Sequence, residues 1–515
     1  MRRAEKTEVC FNGEKISIEN IVDIALFKAK PKLADDNAFR SKIQKSVDFL
    51  ERLLAEKKII YGITTGYGDS CTTNIPNHLI NKLPEKLYTF HGCGLGDMFS
   101  QEQTRAILAT RLNSLVQGFS GVRFELLEQL ILLIDRNILP VIPQEGSVGA
   151  SGDLTPLSYI AAVLCGERDV LYKGVHQSAR NVFNELNISP ISLKPKEGLA
   201  VMNGTAVMTA LACLAFKRAE YLSQLCSRIT ALCSIALKGN SHHFDELLFS
   251  VKPHPGQSQI AAWIRKDLKV FDAIKNSSRL QDRYSLRCAP HVIGVLQDAL
   301  PFFHQLIENE LNSANDNPII DGVSEHILHG GHFYGGHIAF AMDSMKNAVA
   351  NLADLLDRQI AQLVDVKFNH GLPANLSGAP NETVIINHGF KAVQIGCSAW
   401  TAEALKLTLP ASIFSRSTEC HNQDKVSMGA IAARDALRVL QLTEQVAASV
   451  LIAACQGVNL RLIKGEIHRS TLSENICCTL DEVGNVFDFL EEDRALDSTL
   501  REVVSLTQAQ HWTLY

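Results

Sequence analysis

Met342-Asp-Ser-Met345-Lys-Asn-Ala-Val349-Ala-Asn-Leu352-Ala-Asp-Leu355-Leu356 repeats its large apolar residues at steps of three and four. That spacing places them on one face of an α-helix, because about 3.6 residues complete a turn. The same period runs through residues 430–455, where Leu437, Leu440, Leu442, Val446, Val450 and Ala454 are core candidates, and through residues 292–311. Such segments are long enough for bundle helices rather than connectors. Further helices are predicted over 42–57, 102–117, 123–135, 207–236 and 401–407. Strand signals are short and local, at 9–16 and 322–327, and are read as hairpin pieces. Strands and helices do not alternate regularly, which argues against a doubly wound sheet. Gly and Pro gather at 61–68, 91–96, 140–152, 253–256 and 330–336, where a helical scaffold can carry chemistry on loops. The expected architecture is mainly α-helical, with a loop-rich N-terminal portion over 1–200 and a helical bundle over 201–515.

Composition sets the outer bounds. The chain has 515 residues, 46% hydrophobic and 20% charged, with a net charge of -5. This is ordinary globular composition, and it supplies no overall basic field for nucleic acid. The apolar run Ala206 to Phe216 is broken by Thr209 and falls well short of the roughly 20 residues that cross a bilayer. No apolar signal segment precedes Gly13, so the expectation is a soluble, cytoplasmic protein without a membrane partner. The 13 cysteines contain no Cys-x-x-Cys pair, and Cys477-Cys478 are adjacent, so free thiols and no metal site are expected.

The most specific stretch is Gly146-Ser-Val-Gly149-Ala150-Ser151-Gly152-Asp153-Leu-Thr155-Pro156-Leu157. It resembles the cyclising loop of the histidine and aromatic amino acid ammonia-lyase family, in which Ala-Ser-Gly becomes a 4-methylideneimidazol-5-one ring. The residue types suit that chemistry. Attack by the Gly152 nitrogen on the Ala150 carbonyl needs a close backbone turn, which glycine permits, and Ser151 supplies the carbon that becomes the exocyclic alkene. The resemblance implies an electrophile made from the chain itself and no dissociable cofactor. Asp153 is the candidate for orienting or polarising the cyclising backbone, and a helix N-terminal acid is the compatible alternative.

Other motifs extend the resemblance from Tyr61 to at least Gly429. Tyr61-Gly-Ile-Thr-Thr65-Gly66-Tyr67-Gly68 is similar to the family's tyrosine loop, making Tyr61 the candidate base for the substrate Cβ proton. An unperturbed phenol pKa near 10 leaves little phenolate at neutral pH, so nearby positive dipoles or charges are expected to assist it. Asn203, in Met202-Asn-Gly204-Thr205, resembles the asparagine that contacts the ring. In Gln281-Asp-Arg-Tyr284-Ser-Leu-Arg287, Arg287 has the donor geometry for a carboxylate and Tyr284 is a catalytic candidate. Phe333 looks like the phenylalanine beside the ring, although His332 and Tyr334 stand where the family has asparagine and histidine. In Asn312-Ser-Ala-Asn315-Asp316-Asn317-Pro318, Asn315 occupies the position of a hydroxyl residue, and the segment is read as pocket-shaping. The resemblance further implies a mainly helical homotetramer whose sites combine three subunits.

Two segments bear on substrate choice. Phe90-His91 pairs the apolar residue of phenylalanine-selective enzymes with the histidine of the Ser-His arrangement found in histidine enzymes and some tyrosine enzymes. Glu419-Cys-His421-Asn422-Gln423-Asp424 resembles the phenylalanine ammonia-lyase stretch, with Gln423 where histidine enzymes carry a glutamate. That resemblance implies Glu419 near the substrate amine and Gln423 beside the aromatic portion. A His91 imidazole in reach of a para-hydroxyl favours L-tyrosine, followed by L-phenylalanine and then L-histidine. The expected reaction is non-oxidative β-elimination to ammonia and an unsaturated aryl acid. The alternatives are a 2,3-aminomutase using the same ring, a histidine ammonia-lyase giving urocanate, and a noncatalytic homologue.

Overall fold

The computed structural model describes residues 7–269 and 280–515. Packing groups them into two compact units, each drawn from separated stretches of sequence. The first holds the chain up to Lys217 together with His304–Asp343 and Pro410–Arg434, and the second holds Arg218–Phe303, Ser344–Leu409 and Asp435–Tyr515.

In the first unit, Gln101–Leu115 is a central helix, buried on every side from Thr104 to Leu115. Its start is fixed by a capping box: Ser100 Oγ accepts from Gln103 N at 3.3 Å, and Gln103 Oε1 accepts from Ser100 N at 2.9 Å. Its buried arginines reach other parts of the chain. Arg105 donates to the Ile24 and Ile134 carbonyls at 2.9 and 2.7 Å, as a buried guanidinium requires. The helix Asn37–Ala55 starts at Asp36, whose carboxylate accepts from Ala38 N and Phe39 N at 3.1 and 2.9 Å.

Strands are few and short. Thr7–Phe11 pairs in parallel with Ala29–Leu33, Thr7 facing Ala29 and Phe11 facing Leu33. This corrects the hairpin expected over 9–16. Ile18–Ala25 is the crossover helix that a parallel pair requires, and local alternation does not identify a strand's partner. The second signal does form a hairpin, Ile319–Asp321 against His326–Leu328, with most of the expected 322–327 segment lying in its turn. Leu95–Met98 pairs antiparallel with Pro143–Glu145, which draws the loop after His91 alongside the loop leading to Ala150.

Long helices dominate the remainder: Ala206–Ala236, Ala289–Leu311, Gly336–Val364 and Gly429–Ile463. Each contains the stretch whose period announced it. Lys391–Lys406 begins well before the expected 401–407, since its early turns mix Gly396 and polar residues into the apolar pattern. The expected loop at 253–256 is shorter, because Pro255 opens the helix Pro255–Asp267 at a position where its missing N–H is harmless. In the second unit, buried Arg228 meets Asp267 at 2.7 Å and Thr479 Oγ1 at 2.6 Å. Arg461 there donates to the carbonyls of Ala236, Asn369 and His370 at 2.9, 2.7 and 3.1 Å, satisfying groups left open at helix and loop ends. Gly429–Ile463 is long and apolar enough to cross a membrane, yet 83% of its most apolar window is buried inside the protein.

Candidate active site

A cavity of about 1080 Å³ opens in the first unit, lined by Tyr61, Phe90, His91, Ala150, Ser151, Asn203, Phe333, Glu419 and Gln423. Loops far apart in sequence therefore converge on the Ala-Ser-Gly tripeptide. Gly152 adopts φ +69° and bridges to Gly204, and a Cβ there would fall on the Gly204 backbone. Only glycine fits this crossing. On either side of Gly152 the chain is held: Asn203 Nδ2 donates to the Ser151 carbonyl at 2.8 Å, and Asp153 N donates to the Gly204 carbonyl at 2.8 Å. Gln423 Nε2 donates to Ser151 Oγ at 3.3 Å.

Asp153 is fully buried, and its carboxylate does not cap its own helix Leu154–Leu164. It accepts instead from Met208 N at 2.9 Å, in the first turn of Ala206–Ala236, and from Ser147 Oγ at 3.1 Å. Burial pushes its pKa up to about 7, with the Met208 and Ser147 hydrogen bonds opposing that rise. The helix-terminal role expected of this acid is thus filled at another helix.

Tyr61 is half-buried, and its phenol oxygen accepts from Gly68 N at 2.8 Å. Burial raises its pKa, the Gly68 N–H works against the rise, and Glu419 adds to it. Among the described residues, the influence that favours phenolate is that N–H. A charge that lowers the pKa has to come from elsewhere. Glu419 is anchored by Asp69 N on one oxygen and Asn422 Nδ2 on the other, both at 2.8 Å. Its backbone belongs to an unusual turn. Glu419, Cys420 and His421 take φ of 50°, 53° and 65° in succession, and the turn is closed by Thr418 N to the Gln423 carbonyl at 3.0 Å. Left-handed conformations are unfavourable for such residues and persist only where the surroundings enforce them. This turn aims Glu419 and Gln423 into the same cavity.

His91 Nδ1 lies 3.0 Å from the Leu87 carbonyl. A carbonyl only accepts, so Nδ1 carries the proton and Nε2 is left as an acceptor. Burial lowers the imidazole pKa, and Arg168 adds to that effect, which favours the neutral ring. Phe90 is exposed and its ring lies 4.2 Å from the His91 ring.

Tyr284 and Arg287 are not brought to this cavity. They lie in the second unit, where Tyr284 is 71% exposed and the Arg287 guanidinium sits 4.7 Å from its ring. Arg287 Nε donates to the Asp282 carbonyl at 2.9 Å. His332 and Tyr334, the departures flanking Phe333, are absent from the lining. Sequence reasoning missed His329, which lines the cavity edge-on to Tyr61 with ring centroids 6.3 Å apart. Its position beside Gly330-Gly331 was the available signal. Tyr67 and Asn422, also in the lining, stand inside motifs already singled out.

Residues 16–477 match the family model of the aromatic amino acid lyases. The histidine ammonia-lyase of Bacillus velezensis is 38% identical over 88% of this chain and 87% of its own. Among solved structures, the tyrosine aminomutase of Streptomyces globisporus superposes with a TM-score of 0.90 at 32% identity, covering 98% of both chains. The phenylalanine aminomutase of Pantoea agglomerans does so with a TM-score of 0.89 at 29% identity, covering 98% of this chain and 99% of that one. The chain belongs to the aromatic amino acid lyase family. Its activity is that of an ammonia-lyase.

Proposed function

We propose that this ammonia-lyase converts L-tyrosine to 4-coumarate and ammonia by non-oxidative β-elimination, with L-phenylalanine second and L-histidine third in preference. The observation carrying this order is the orientation of His91. Its neutral ring, fixed through Nδ1 to Leu87, offers an Nε2 acceptor to a phenol hydroxyl, which then loses water without losing its hydrogen bond. Gln423 beside Ser151 supports the same order, since an uncharged amide gives no carboxylate with which to hold a charged imidazole.

The electrophile in this reading is the 4-methylideneimidazol-5-one ring formed by Ala150, Ser151 and Gly152, without a dissociable cofactor. The residues fit that group. Gly152 lies where a side chain has no room, Asn203 holds the Ser151 carbonyl, and buried Asn203 Oδ1 has no other partner. When formed, the ring supplies an electron-poor alkene that withdraws electrons from the substrate. Tyr61 accepts the Cβ proton, Glu419 holds the amine, and Phe90 and Phe333 enclose the aromatic portion. Arg287 pairs with the carboxylate and Tyr284 contributes its hydroxyl, both from neighbouring subunits of a homotetramer. The exposure of Tyr284 and the absence of both residues from the lining of this chain's cavity support a composite site. It would also bring Arg287 toward Tyr61, the positive charge that phenol lacks here.

Incubation with L-tyrosine, L-phenylalanine and L-histidine tests the proposal through ammonia release and the ultraviolet absorption of each unsaturated acid. Turnover is expected in that order, and histidine as the best substrate overturns it. The structural likeness to a tyrosine aminomutase favours one second reading, in which ammonia adds back at Cβ. Chiral analysis of the products then yields a β-amino acid. Amino acid binding without turnover, on protein that has not formed the ring, would mark the noncatalytic alternative.

A further inference from the structure

Next to the cyclising loop, and absent from the cavity lining, is a chain of polar side chains to which the proposed reaction gives no role. Glu310 Oε1 accepts from Thr205 Oγ1 at 2.5 Å. Thr205 Oγ1 in turn accepts from Asn315 Nδ2 at 2.8 Å, and Asn315 Oδ1 accepts from Arg111 Nη1 and Ser114 Oγ, both at 3.1 Å. Thr205, Asn315 and Arg111 are buried, and Glu310 is half-buried. Thr205 directly follows Asn203-Gly204, the two residues that grip Ser151 and Asp153. A Cβ on Gly204 would collide with Arg111 and Asn315, so that backbone is pressed between the network and the loop.

We propose that Glu310 is a positioning residue for ring formation: by fixing Thr205 it fixes the Asn203-Gly204 backbone that clamps the tripeptide on both sides of Gly152. The inference rests on the ring-forming reading above. In that reaction the Gly152 nitrogen bonds to the Ala150 carbonyl carbon. The Ala150 oxygen leaves as water with the amide protons of Gly152 and Ser151. A second water takes the Ser151 Oγ, its proton and the Ser151 Cα proton, leaving the Cα–Cβ double bond. Atoms balance without an oxidant. The geometric demand is that the Gly152 nitrogen be held against the Ala150 carbonyl, and effective concentration of this kind depends on small displacements. A carboxylate acceptor on Thr205 is stronger than a neutral one, so its loss loosens the clamp without opening the core.

Intact mass of the full-length protein, sampled after a short pulse of synthesis, reads ring formation as a deficit of about 36 Da, the two waters of the proposed chemistry. Glu310→Ala and Thr205→Val are each expected to slow the appearance of that deficit by about tenfold or more per folded chain, with folded chains counted by gel filtration and circular dichroism. Glu310→Gln and Thr205→Ser keep an acceptor and a donor, and should restore the rate to within about threefold of the unmodified protein. An unchanged rate in Glu310→Ala and Thr205→Val overturns the proposal. So does slowing that only follows the loss of folded protein, or equal slowing in the two conservative variants, since either is a structural effect. No deficit in the unmodified protein is a different result, which defeats the ring itself.

Discussion

The Ala150–Gly152 loop and the Tyr284–Arg287 turn are both sharply marked in sequence, but they end in opposite surroundings. The loop is enclosed by its own chain, with Asn203, Gln423 and the Gly204 backbone all within hydrogen-bond distance. In the turn, Tyr284 is 71% exposed and Arg287 is half-buried, its guanidinium 4.7 Å from the Tyr284 ring and its Nε donating to the Asp282 carbonyl. On the proposed reading, one chain holds the residues that make the electrophile and leaves the binding of a substrate carboxylate to a neighbouring subunit. On that reading, maturation depends on tertiary contacts within a chain, whereas turnover depends on assembly as well.

The largest effect should come from the enclosed side. Ser151→Ala keeps Cβ but removes the hydroxyl whose departure as water creates the alkene, so ammonia release should fall by on the order of a thousandfold or more. The intact-mass deficit should vanish with it. Residual activity near that of the unmodified enzyme would sever the loop from the chemistry.

The exposed side is tested by mixing. Arg287→Ala alone should lose about a hundredfold in kcat/KM, because a carboxylate is left without its charged partner. Co-assembly of Arg287→Ala with Ser151→Ala subunits should then recover activity, up to about a quarter of sites if subunits mix at random. No recovery in verified mixed oligomers would place Arg287 and the ring of each site in the same subunit and erase the contrast.

Asp153 sharpens the comparison through pH. Its folded pKa of about 7 lies above its ordinary value of 3.8, so the native protein keeps a proton that the unfolded chain has lost. Stability from this group is full below about 4 and declines as pH rises toward about 7, by on the order of a few kcal/mol across the window. Urea unfolding at pH 5 and 7.5 should show the decline, and Asp153→Asn should flatten it. A pH dependence unchanged by that substitution would mean that the carboxyl is already ionised throughout.

The last expected effect is one of selectivity. His91→Phe replaces an acceptor with an apolar wall, and should lower tyrosine turnover relative to phenylalanine by about five- to 150-fold, or about 1 to 3 kcal/mol. Both substrates should be measured on protein with a verified mass deficit. Equal losses would make His91 a supporting residue of the Leu87 turn and remove the basis for placing tyrosine first.

The helices and the tripeptide were readable from sequence for a common reason: their determinants are local. A three-and-four period marks a buried helical face, and Gly146–Leu157 holds its chemistry in consecutive residues. The strand at Thr7–Phe11 was visible, but its parallel partner at Ala29–Leu33 was not, because pairing depends on a crossover rather than on alternation. At the site, residue identities pointed to Tyr61, His91, Asn203 and Glu419, yet only folding decided their states. The His91 tautomer follows from the Leu87 carbonyl, the raised Tyr61 pKa from burial, and the shift of Asp153 to the Met208 amide from the meeting of two helix starts. His329 enters beside Tyr61, and Glu310 reaches Thr205, only through contacts between distant segments. Sequence determines which groups are available. Tertiary structure decides which of them lose water and which partner replaces it, and that exchange sets their protonation and aim.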